Sequence, residues 1–156
     1  MWGAVIGDIV GSIYEWDNVK TKDFGPLFQP GSFFTDDTVC TVAVADILLN
    51  GKDPATVMRA WCRQHPDAGY GGNFKDWVYD ADMGPYNSWG NGSAMRISPA
   101  ALLADSREQM LENARRVTAI THNHPEGLKG ALATVDAIYA LRRGAAPAEV
   151  RSFIEL

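Results

Sequence analysis

No stretch of this sequence alternates apolar and polar side chains between turn signals, so the pattern that marks a half-buried strand is missing. Apolar runs are short, and none approaches the roughly 20 residues that a membrane-spanning helix needs. Clusters of Lys and Arg are absent and the net charge is −5, which argues against a nucleic-acid or anionic-membrane surface. Cysteine is scarce. Cys40 and Cys62 both fall in apolar helical pattern and read as buried free thiols, not as a disulfide framework. No pair among these cysteines, His122 and His124 has the spacing of zinc ligands. Met1 leads straight into a patterned segment without signal-peptide features, so the expectation is a cytoplasmic protein with no membrane and no nucleic-acid partner.

What remains is helical punctuation over 156 residues, enough for one domain, 1–156, with an ordinary core. Residues 3–16 carry Val5, Ile6, Ile9, Val10 and Ile13 at helical spacing, with Gly3, Gly7 and Gly11 along one face. Such a glycine row implies either close helix contact or room for a ligand against bare backbone. Asp8 and Glu15 also share a face. After an irregular stretch, Asn18 to Ser32, a helix is expected at about 38–49, ended by Asn50-Gly51. Asp53-Pro54 begins another, to about Gln64. Residues 66–92 are rich in glycine and aromatics, with a short helix around 74–79. A helix over 94–103 then follows Gly90-Asn91-Gly92-Ser93. Ser106 caps the next, which reaches His122, Pro125 opens one to about Arg143, and Pro147 begins the last. The fold expected is all-α, a compact bundle of helices.

The densest polar feature is Phe34-Thr35-Asp36-Asp37-Thr38, placed directly before the apolar run 39–49. Asp and Thr there could simply cap the helix. Two adjacent carboxylates beside hydroxyls are also the oxygen donors that Mg²⁺, Mn²⁺ or Ca²⁺ take. Gly90-Asn91-Gly92-Ser93 exposes backbone N–H groups suited to a phosphate. With the aromatic residues, these features suit a phosphorylated ligand carrying a ring, and a nucleotide is the obvious candidate.

Five motifs occur in order: Gly7-Asp8-Ile9-Val10-Gly11-Ser12-Ile13-Tyr14-Glu15, Phe34 to Thr38, Gly69-Tyr70-Gly71, Ser88-Trp89-Gly90-Asn91-Gly92-Ser93-Ala94-Met95-Arg96, and Thr121-His122-Asn123-His124-Pro125. In this the chain resembles the ADP-ribosylglycohydrolase family, relatives of the dinitrogenase reductase-activating glycohydrolase and of ADP-ribosylarginine and ADP-ribosylserine hydrolases, from about residue 3 to 143. The resemblance implies an orthogonal all-α bundle that hydrolyses a glycosidic bond of ADP-ribosylated protein or small molecule at a centre of two Mg²⁺ or Mn²⁺ ions. It implies Thr35, Asp36 and Asp37 as metal ligands, with Asp37 at the boundary between the ions, and Glu15 as the carboxylate beside the metals that positions or deprotonates the attacking water or gates the site. Glu15 and Asp37 are thus the catalytic candidates. Ser88, Trp89, Gly90, Asn91, Gly92 and Ser93 would hold pyrophosphate and ribose, with Tyr70 and Gly71 nearby and His122 lining the cleft. Met95 and Arg96 read as packing beneath the loop.

One departure matters. The family's remaining metal ligands lie in an Asp-x-Asp-Thr motif, and none occurs here after residue 38; Asp80-Ala81-Asp82-Met83 lacks the Thr. The fold is therefore expected to be truncated, with half of the metal cage missing. An incomplete ADP-ribose-binding module is the alternative function. Apolar surface is expected near Phe153-Ile154-Glu155-Leu156, and with it self-association or a second chain that completes the site.

Overall fold

A computed structural model describes the backbone of residues 1–154 and the side chains of residues 1–151. Every regular element among them is helical: α1 (Trp2–Gly11), a 3₁₀ turn (Ser12–Tyr14), α2 (Asp36–Asn50), α3 (Pro54–Gln64), α4 (Gly72–Tyr79), α5 (Gly92–Met95), α6 (Ser98–Leu102), α7 (Arg107–Thr118), α8 (Pro125–Arg142) and α9 (Pro147–Ile154). No helix among the described residues is long and apolar enough to cross a membrane.

Local chemistry explains most boundaries. Asp53 accepts the Thr56 N–H and Pro54 opens α3, where its missing donor costs nothing. Gly51 ends α2 at φ 63°, a left-handed turn that glycine adopts without strain, and returns its N–H to the Ile47 carbonyl. Ser106 caps α7 through the Gln109 N–H, while the Gln109 side chain accepts from the N–H of Asp105.

Two expectations change. The helix expected over 94–103 is two pieces, α5 and α6, with Arg96 and Ile97 between them. Pro99 has no N–H to offer the turn before it, so an unbroken ladder cannot form. Both linking residues go inward, Arg96 to 1% exposure and Ile97 to 0%. The first helix also stops at Gly11, short of residue 16, and only the 3₁₀ turn carries the chain on towards Glu15.

The core lies around α2 and α8. Along α2, Val39, Cys40, Ala43, Val44 and Ile47 are buried, and the helix packs on α1, α3, α5 and α6. Helix α8 contributes Ala131 and Val135 and packs on α5, α6, α7 and α9. Met58, Trp77, Met110 and Val117 fill the space between, each large buried side chain stabilising the fold by about 1.5–3 kcal/mol. Cys40 and Cys62 are buried free thiols, their sulfurs 4.0 Å apart.

Helix α1 is different. None of its residues is buried, and a Cβ at Gly3, Gly7 or Gly11 would meet nothing within 4 Å. The glycine row is open ground, not a helix contact. Exposed apolar side chains gather in the same part of the chain, among them Trp2, Trp16, Leu27 and Phe28. The side chains expected to form an apolar surface at 153–156 lie outside the described residues.

Candidate functional site

The polar centre begins with Asp8. Its carboxylate accepts from the Thr35 hydroxyl at 2.6 Å, the Thr35 N–H at 2.8 Å, the Thr38 N–H at 3.2 Å and the Thr38 hydroxyl. Thr35 is the N-cap of α2 and accepts from the N–H of Asp37, and the Asp36 N–H is taken by the Ala68 carbonyl at 2.8 Å. The free donors of the first turn of α2 are thereby matched without help from the carboxylates of Asp36 and Asp37. Simple capping by those two residues is ruled out.

These adjacent carboxylates open into different spaces. Asp36 lines a cavity of about 450 Å³ with Gly71, Phe74, Ser88, Asn91 and His122. Asp37 lines one of about 350 Å³ with Gly7, Gly11, Glu15, Thr35 and Asp8. The open glycine face of α1 is thus one wall of the second space. Burial first, and then the neighbouring Asp37 charge, push the Asp36 carboxyl up to about 7; Glu15 and Asp8 act in the same sense. Asp37 is raised by burial and by Asp8 and Glu15. Asp8, Glu15 and Asp37 thus act electrostatically on one another and on Asp36 across the two spaces, and hard cations are what such oxygen donors take. Among the described residues, no three His, Cys, Asp or Glu side chains converge as a ready metal cage.

The far wall of the larger cavity is a loop pinned from two sides. Asn87 stands at φ 55°, unusual for a residue with a side chain, and its N–H is held by the Asn123 side chain at 2.7 Å. Ser88 gives its N–H to the Thr121 carbonyl, and its hydroxyl takes the N–H of Gly90. Ser93 donates to the Gly127 carbonyl at 3.1 Å. Gly127 itself cannot be larger, since a Cβ there would lie 2.6 Å from the Ser88 carbonyl oxygen. Beneath the loop, Arg96 donates to the Thr121 hydroxyl at 2.7 Å, and that hydroxyl lies 2.8 Å from Nδ1 of His122. Burial, with the Arg96 charge second, lowers His122 to about 4, so the ring is neutral at physiological pH.

A sequence model described as ADP-ribosylglycohydrolase matches residues 1–155. The chain belongs to the ADP-ribosylglycohydrolase family. Among relatives it is similar to ADP-ribosylhydrolase ARH3 of Mus musculus, at 28% identity over 182 residues, covering 94% of this chain and 49% of that protein. ARH3 of Xenopus tropicalis is 27% identical over 93% of this chain and 50% of its own, and ARH3 of Homo sapiens 27% over 94% and 50%. The chain spans about half the length of the curated relatives it matches.

The residues singled out from the ADP-ribosylglycohydrolase motifs do not all share one surface. Gly71, Ser88, Gly90, Asn91, Gly92, His122 and Asp36 line the larger cavity, while Glu15, Thr35 and Asp37 line the smaller. Trp89 is 74% exposed outside the cavity lining, with its ring 6.5 Å from that of His124. Tyr70 stands behind the wall, against Phe74, with its hydroxyl on the Cys62 carbonyl. Ser93 is 1% exposed, and its hydroxyl serves the loop's attachment to α8. Sequence reasoning missed Asn87 and Gly127, gave Thr121 no role beyond its place in a motif, and saw Arg96 as packing and support for the loop without its bond to Thr121. The Ser98-Pro99 break was the available sign for Arg96, since it sets a cation where a continuous helix would not.

Proposed function

We propose that this chain carries the substrate-binding half of a metal-dependent ADP-ribosyl hydrolase, acting on the glycosidic bond of an ADP-ribosylated protein or small molecule. One observation carries the reading: Asp36 and Asp37 are released from capping by Thr35 and Asp8, and each carboxylate opens into its own cavity. Thr35, Asp36 and Asp37 would hold Mg²⁺ or Mn²⁺, hard cations that suit oxygen donors. Bound there, such ions supply Lewis-acid polarisation and lower the pKa of a coordinated water. The chain's own residues orient the substrate. In the larger cavity the loop N–H groups and the buried Arg96 favour the anionic pyrophosphate, while Asp36 favours the ribose hydroxyls at the other end. Trp89 offers an exposed ring for stacking at the rim. Glu15, facing Asp37 in the smaller cavity, would accept a proton from the attacking water as the ribose passes through an oxocarbenium-like state.

A second reading, an ADP-ribose-binding module without turnover, is favoured by the absence of a converged acid cage among the described residues. For the hydrolase, further metal ligands would be supplied by a second copy or another polypeptide seated near the exposed apolar side chains between residues 2 and 34, or by more of the same protein. Release of ADP-ribose from ADP-ribosylated peptides with Mn²⁺ or Mg²⁺, alongside thermal shifts with ADP-ribose, decides among these. Ligand at ~100 times its Kd stabilises by about 2.7 kcal/mol. A shift with turnover that Asp36→Ala abolishes supports the hydrolase. A shift without turnover selects the module, and no shift removes both. Light scattering tests assembly, for which a monodisperse monomer at high concentration would exclude self-association.

A further inference from the structure

We infer that Arg96 and Thr121 are positioning residues that hold the His122 ring as its Nε2–H tautomer and aim that N–H across the loop at Gly92, as a fixed donor to an acceptor oxygen of the ligand. The ligand's identity rests on the function proposed above; the tautomer does not. Arg96 is 1% exposed and has no carboxylate partner among the described residues, unlike Lys52 on Asp46 and Arg107 on Asp136. Its Nε is buried without a partner, and its guanidinium lies 5.5 Å from the centre of the Phe74 ring. A buried cation left this incompletely matched is costly, so its one charge-assisted bond, to the Thr121 hydroxyl, is what its position secures.

That bond fixes the direction of the next. Thr121 is 0% exposed, and its hydroxyl has one proton. A guanidinium only donates, so Arg96 occupies a lone pair of the hydroxyl oxygen. The proton must then point to a different acceptor, and among the described residues the one within reach is Nδ1 of His122. Nδ1 therefore carries no hydrogen, and the neutral ring bears its proton on Nε2. That edge abuts the loop: a Cβ on Gly92 would lie 3.2 Å from Cε1 and 3.3 Å from Nε2. His122 and Gly92 both line the larger cavity, so the aimed N–H faces the space a ligand enters. The Arg96 charge opposes protonation of the ring, which keeps this donor neutral and directional.

The three histidines, His65, His122 and His124, can be assigned with His65→Gln and His124→Gln proteins and their tautomers read from ¹⁵N imidazole spectra. In the unmodified, ligand-free chain His122 is expected as Nε2–H. Finding Nδ1–H, or an even mixture, overturns the inference without any variant having to fold. Thr121→Val should mix the tautomers and weaken ADP-ribose binding about tenfold, and Thr121→Ser should restore both. Equal tautomers in the Val and Ser proteins would refute the role given to the hydroxyl. The expected tautomer in a chain that ADP-ribose does not shift would uphold the positioning and overturn the nucleotide reading instead.

Discussion

Asp8 and Thr35, 27 residues apart in sequence, meet with the threonine hydroxyl 2.6 Å from one carboxylate oxygen and the threonine N–H 2.8 Å from the other. An acid on the first helix thereby performs the capping that Asp36 and Asp37 would otherwise share. Asp8→Ala removes an acceptor for four donors and should destabilise the chain by roughly 2–4 kcal/mol, more than an ordinary cap replacement. Urea unfolding measures it. A cost within 0.5 kcal/mol of zero, as for a typical surface substitution, would mean that the contact carries no weight.

Crowded acids predict opposite effects of one substitution in two conditions. Without divalent metal, Asp36→Asn relieves repulsion from Asp37, Glu15 and Asp8 and should raise the thermal midpoint by roughly 2–4 °C. With Mn²⁺ the unmodified chain should gain stability and the Asn protein should not. Equal Mn²⁺ shifts in the two proteins would remove Asp36 from the ligand set.

Gly127 and Gly130 lie on the same helix and should respond in opposite directions to alanine. At Gly130 nothing stands within 4 Å of a new Cβ, so helix propensity stabilises by about 1 kcal/mol. At Gly127 the Cβ meets the Ser88 carbonyl oxygen at 2.6 Å, and displacing the loop should cost about 1–3 kcal/mol and weaken ADP-ribose binding. Paired thermal melts and titrations read both, and a stabilised Gly127→Ala protein would contradict the close approach.

His122 sets a pH dependence whose sign follows from its neutral state. Its value in the fold is about 4, against 6.5 ordinarily, so between these values the unfolded chain takes up a proton that the folded chain refuses. Stability from this group is complete above 6.5 and is lost as pH falls towards 4. Asp36, held up to about 7, works in the opposite sense over much of that window. The difference between the unmodified and His122→Gln proteins isolates the histidine. That difference should shrink as pH falls; a constant gap from pH 7 to 4 would refute it.

Replacing Trp89 tests the rim independently of the fold. With the residue 74% exposed, Trp89→Ala should leave the unfolding midpoint nearly unchanged, yet cost ADP-ribose binding roughly 1–3 kcal/mol if the ring stacks on a base. Unaltered affinity by calorimetry would place the base elsewhere.

The order and kind of the helices could be read from the sequence because their signals are local. Asp53-Pro54, Ser106 and Gly51 act on N–H and carbonyl groups within three or four residues, and those bonds form wherever the segment lies. The motifs that carry family membership were equally legible, since each is a short contiguous run. Tertiary structure alone decided which groups those motifs leave free. Asp8 reaching Thr35, Gly127 admitting Ser88, and Arg96 reaching Thr121 are contacts between segments 27, 39 and 25 residues apart. No period or capping rule encodes such a pairing. It exists because packing around α2 and α8 brings separate helix ends together, where every buried donor and acceptor must find a partner or remain at a cost. The same packing sends Asp36 and Asp37, neighbours in sequence, into different cavities.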